Sequence, residues 1–93
     1  MPLNEKEFEL YAKTQISDIV SNMMFNRNFR NITLQEISEK SGISRDELVN
    51  YEIGEKPIDL KTLCRISFAM GLSLEKMITI QPVKDDVANL NFK

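Results

Sequence analysis

Residues 34–56, LQEISEKSGISRDELVNYEIGEK, decide how this chain is read. Apolar residues recur at helical spacing on either side of a lone Gly42, which describes two short helices joined by a tight turn. Leu34, Ile37 and Ser38 make the inner face of the first of them, and Leu48 and Tyr51 that of the second. Gly54 stands just past the second helix, where a left-handed residue is wanted, and Pro57 prevents continuation. The stretch holds six acids against three bases. Capping accounts for several of the acids. Thr33 precedes Glu36 by three residues, and Ser44 precedes Glu47 likewise, so both helices are expected to open with a capping box. Asp46, in the first turn after Ser44, adds a favourable helix-dipole contribution of roughly 0.3–1 kcal/mol.

Working outward, the same helical period continues. Phe8, Ala12, Ile16, Ile19 and Met23, with Tyr11, Val20 and Met24 beside them, predict one long amphipathic helix, or two abutting ones, over about residues 5–29, capped by Asn4. Asp59 caps a fourth helix with the stripe Leu60, Leu63, Ile66, Ser67 and Met70, which Gly71 stops. Ser73 opens a fifth, with Leu74, Met77 and Ile78 as its buried side. Cys64 is expected to pack as a small hydrophobe, Met23, Met24, Met70 and Met77 to belong to the core, and Phe29, between Arg27 and Arg30, to close a helix end onto it, the alternative being that it stacks on nucleic acid. The fold class is all-α, with an extended N-terminal helix. Residues 1–80 are read as one domain and 81–93 as a C-terminal tail whose Val87, Leu90 and Phe92 are apolar enough to dock.

Composition narrows the chemistry. Ninety-three residues, 42% of them hydrophobic, suffice for one small core. The chain has no His and one Cys, which argues against a zinc site, an internal disulfide and His-based catalysis, so no enzyme, cofactor or metal is expected. No apolar run approaches the ~20 residues of a membrane span, and a cytoplasmic protein is expected. The formal net charge is −2. Any contact with a polyanion must therefore come from local charge.

Residues 32–78, ITLQEISEKSGISRDELVNYEIGEKPIDLKTLCRISFAMGLSLEKMI, resemble the five-helix DNA-binding domain of the Cro and phage-repressor-like (xenobiotic-response-element) helix-turn-helix regulators, the lambda-repressor-like fold. The resemblance rests on the turn at Ser38, Gly42 and Ser44, on YEIGEKP after the third helix, and on the close LCRISFAMGLSLEKMI. It implies a sequence-specific transcriptional regulator that binds double-stranded DNA, with the motif over residues 33–56. Base-edge contacts would come from Arg45, Asp46, Val49 and Asn50, and phosphate contacts from Thr33, Lys56 and Lys61. A buried ion pair between Arg27 and Glu52 is implied as well. Ser38 replaces the more usual Ala, Leu34 stands where many members carry Gln, and Glu55 where a base is usual. The last two weaken phosphate anchoring. A homodimer is expected, joined through Leu74, Met77, Ile78, Leu90 and Phe92. The same surface would alternatively receive a protein partner such as a toxin, in an antitoxin-like or adaptor role.

Overall fold

The computed structural model describes residues 2–79, and those residues form five helices and no strand. The helices are α1 (Glu5–Phe29), α2 (Leu34–Ser41), α3 (Arg45–Glu52), α4 (Leu60–Met70) and α5 (Leu74–Met77). Each begins at the residue whose side chain satisfies an otherwise orphaned backbone amide. Asn4, Thr33, Ser44, Asp59 and Ser73 accept from the N–H groups of Glu7, Glu36, Glu47, Thr62 and Lys76. Gly42, at φ 79°, ends α2 in the left-handed region and donates its N–H to the Ser38 carbonyl. Ser38 is half-buried, while Ser41, one turn further, is buried in its place.

The core lies where α2 packs on α3 and α4, with α5 closing one side and α1 resting on α3 and α5. Its centre is Ile37, Ile66 and Met77, each almost without solvent contact. Burying a side chain of that size contributes roughly 1.5–3 kcal/mol. Met23 and Met70 join this cluster and Met24 packs at its edge. Ile43, from the turn itself, also enters it.

Four expectations are corrected. Only the second half of α1 is covered: Val20, Met23 and Asn26 are buried, whereas Phe8, Tyr11 and Ile16 are exposed. The periodic stripe runs on past the end of the core, because the other helices are too short to reach it. Leu60 and Cys64 turn outward on α4, and with Phe68, 77% exposed, they form an apolar line on its outer face. Phe29 does not close onto the core. It stacks on Phe25 at 5.9 Å between ring centroids, 62% exposed, with the Arg30 guanidinium 5.8 Å from its ring.

Two polar devices hold α1 in place. Arg27 meets Glu52 through two parallel hydrogen bonds, Nε to Oε2 at 2.8 Å and Nη2 to Oε1 at 2.9 Å. Its Nη1 also donates to the Ile32 carbonyl at 3.1 Å, which ties in the α1–α2 connection. The second device is Asn26, which sequence reading passed over. Its Nδ2 donates to the carbonyls of Met77 (2.7 Å) and Thr79 (2.8 Å), while its Oδ1 accepts from Arg30 Nη1 (2.7 Å). Asn22 adds a bond to the Ile78 carbonyl at 2.8 Å. Asn22 and Asn26 are one turn apart on a largely apolar face, which is the signal that could have revealed the staple.

Glu52→Gln keeps the shape of the ion pair but leaves Arg27 without its charge partner at a site where both side chains are about nine-tenths covered. Breaking one side of such a pair costs about 3–5 kcal/mol. Glu39→Gln, at an exposed position, is expected to be nearly neutral, and urea unfolding of the two variants checks the contrast.

Candidate nucleic-acid interface

The outward side of α3 carries Arg45, Asp46 and Asn50 exposed and Val49 half-buried. Their exposure follows from the opposite face, where Leu48 and Tyr51 are committed to the core. The side chains of Arg45, Asp46 and Asn50 make no hydrogen bond to another described residue. Asn50 instead contributes its carbonyl, which accepts from the amides of Glu55 (2.9 Å) and Lys56 (3.2 Å) and shapes the turn after α3. Gly54, at φ 80°, makes that turn possible.

A concavity of about 430 Å³ adjoins this face, and it brings Arg45 together with Thr33, Leu34 and Gln35 at the start of α2 and with Asn28 and Asn31 at the end of α1. Thr33 is less available there than its position suggests. Its amide and its hydroxyl both donate to Glu36 Oε1, at 2.9 and 3.1 Å, while the hydroxyl accepts from the Glu36 amide at 3.0 Å. The donors left open at this helix end are the backbone amides of Leu34 and Gln35. Asn28, Asn31 and Gln35 were not singled out from the sequence. Asn31 is exposed at φ 56°, a conformation Asn tolerates better than most residues.

The two lysines differ. Lys56 Nζ lies 2.7 Å from Glu47 Oε2 and 5.4 Å from the Tyr51 ring centre. Ser44 therefore caps α3 one way only, accepting from the Glu47 amide, and the Glu47 carboxylate turns to Lys56 rather than completing the expected reciprocal box. The hydrogen bond from Lys56 holds the Glu47 carboxyl below its ordinary range, and the same bond raises the Lys56 ammonium. Lys61 is exposed and, among the described residues, forms no ion pair. Arg65, on α4, donates to the Ser41 carbonyl at 3.1 Å and so caps the C-terminal end of α2 beside Gly42.

Of the expected partner surface, Met77 is wholly buried in its own chain and cannot meet another. Leu74 and Ile78 are half-buried against the same core. Leu90 and Phe92 lie outside the described residues. Among those residues no helix is long and apolar enough to cross a membrane, and no group of three or more His, Cys, Asp or Glu is placed to hold a metal ion.

The arrangement of α2, the glycine turn and α3 is that of a helix-turn-helix unit. The helix-turn-helix family model matches residues 27–77, more than half of the chain, and the protein belongs to that family, of the Cro-like kind. It is a DNA-binding transcriptional regulator. Over 68 residues it is 28% identical to the control protein C.SmaI of Serratia marcescens, an alignment covering 73% of this chain and 81% of that protein. No solved structure matches.

The capping box gives α2 an acid-sensitive start. The Thr33 amide and hydroxyl lower the Glu36 carboxyl from its ordinary 4.5. Its contribution is therefore fully present above the unfolded value and is lost as pH falls through the lower folded one. Glu36→Gln should flatten the fall of melting temperature below about pH 4.5, relative to the parent chain. Thermal unfolding followed by circular dichroism at a series of acid pH values checks it, and an unchanged slope would remove Glu36 from the account.

Proposed function

We propose that the protein regulates transcription as a homodimer that reads a specific operator, each copy laying α3 in the major groove of one half-site. The observation carrying this reading is the exposed, intramolecularly uncommitted row of Arg45, Asp46 and Asn50 on a helix whose other face is locked into the core. Arg suits the two acceptors of guanine, Asn the adenine edge, an acid the cytosine amino group, and Val49 can meet a thymine methyl. The open amides of Leu34 and Gln35 would take a phosphate at the α2 terminus, with Lys61 and the partly neutralised Lys56 supplying the rest. The relative named a control protein supports a regulatory role. With no membrane-spanning helix among the described residues, the setting we propose is the cytoplasm.

Pairing follows from the small number of cations. Each phosphate contact contributes a salt slope of about −0.9, and one module with so few contacts holds duplex weakly at physiological salt. Two copies double the contacts and place half-sites roughly 34 Å apart. A toxin or other protein partner, the second expectation, is supported here only by exposed apolar side chains, for which a second copy is the simpler occupant.

Replacing Arg45 or Asn50 with Ala should cost about 1–3 kcal/mol on the preferred operator and relax preference at one base pair, whereas Lys61→Ala should weaken all sequences alike. Glu47→Gln should act in the opposite sense: it releases Lys56, raises affinity for any duplex and steepens the salt slope by about 0.9 for each copy bound. Electrophoretic shifts over a range of salt and operator variants measure all three, and binding indifferent to Arg45 would show that another face meets DNA.

A further inference from the structure

The N-terminal half of α1 is an arm without a core. Residues 5–18 would extend about 21 Å at helical rise. A free helix of that length is marginal in water. Yet it displays Leu10 at 67% exposure, Tyr11 at 62%, Ile16 at 47% and Phe8 at 46%. Beneath it runs a groove of about 880 Å³ with Leu10, Ile16 and Val20 on the arm side and Ile53, Pro57 and Ile58, from the end of α3 and the following turn, on the other. The groove thus lies against the same elements that present α3.

We infer that two copies of the chain pair through these arms, laid antiparallel across one another over the groove. This inference rests on the two-copy reading above and supplies its surface. The occupant is selected by pattern. Phe8, Ala12, Ile16 and Ile19 share one face of the helix. With a two-fold axis at Ala12, Phe8 of each copy meets the partner's Ile16, and the small Ala12 side chains meet each other and let the helices approach. Glu9 and Lys13 lie on one flank of that stripe, next to the groove. A two-fold axis sets like flanks opposite, so Glu9 of each copy comes alongside the partner's Lys13. The parallel arrangement would instead set Glu5, which lies on the same stripe, against its own copy. The pairing covers the exposed parts of Phe8 and Ile16 from each copy, with Tyr11 at its edge. The interface is isologous and closed, as a dimer on a two-fold operator requires.

The test is a charge exchange read by sedimentation without DNA. Glu9 and Lys13 are exposed, so their variants should keep the circular dichroism spectrum of the parent chain. Glu9→Lys and Lys13→Glu should each weaken self-association roughly tenfold or more, since each sets like charges opposite one another. Mixed in equal amounts, the two variants should pair again, because each then faces its complement. Variants that associate no better mixed than alone would overturn the inference. So would loss of the dimer in Phe68→Ser but not in Glu9→Lys, which would move the interface to α4. A full-length chain that is monomeric, but pairs when cut after Ile80, would assign the groove to the tail; monomers throughout would leave the arm no role in pairing. Failure of the DNA reading is seen separately: arm-paired dimers that shift no duplex would refute it and leave the arm pairing standing.

Discussion

The Arg27–Glu52 pair is the contact on which the orientation of α3 depends. It joins the second half of α1 to the last residue of α3, at the end opposite the Ser44 cap, and through Nη1 it also holds the connection into α2. Three elements around the exposed row of α3 are thus referred to one guanidinium. Its planar fork suits the task, because two parallel bonds to a carboxylate fix direction as well as distance. A lysine at this position could neutralise Glu52 but could not hold two elements at a set angle.

On that frame the charge balance of the surface becomes intelligible. An acidic chain can present a DNA-binding face because most of its acids near the motif are engaged. Glu36 closes the α2 cap, Glu47 pairs with Lys56, Glu52 pairs with Arg27 and Asp59 caps α4. These carboxylates are stabilised by groups of the protein itself and need no ligand. If Lys56 meets phosphate as proposed, its partial neutralisation by Glu47 costs affinity. On the proposed DNA face, this would leave more of the discrimination to Arg45 and Asn50, whose side chains make no competing intrachain bond among the described residues.

The closing of the domain has a different chemistry. At α5 the decisive partner is neutral: Asn26 reads carbonyl oxygens at the end of a helix too short to satisfy them itself. An amide does this without the desolvation cost of a buried charge. The staple also explains why Met77 sits at the centre of the core rather than at its rim, and hence why α5 offers another molecule so little.

What the sequence by itself determined were the local features. The five helix starts, the left-handed stop at Gly42 and the helical stripes were legible because each depends on residues three or four apart, within reach of one another whatever the rest of the chain does. The exposed row on α3 was legible for a related reason, the family resemblance placing it opposite Leu48 and Tyr51. The Arg27–Glu52 contact, between residues far apart in the chain, was reached through that resemblance and not through periodicity. Only the tertiary structure decided the rest. The stripe on α1 is uniform from Phe8 to Met23, and nothing in its period says that the neighbouring helices cover only the later half. Nor could spacing show that Glu47 would prefer Lys56 to its own helix start, that Cys64 and Phe68 would face outward, or that Asn26 would find the carbonyls of α5. Each is a choice among partners distant in sequence, and such choices are settled by packing geometry once the helices have met.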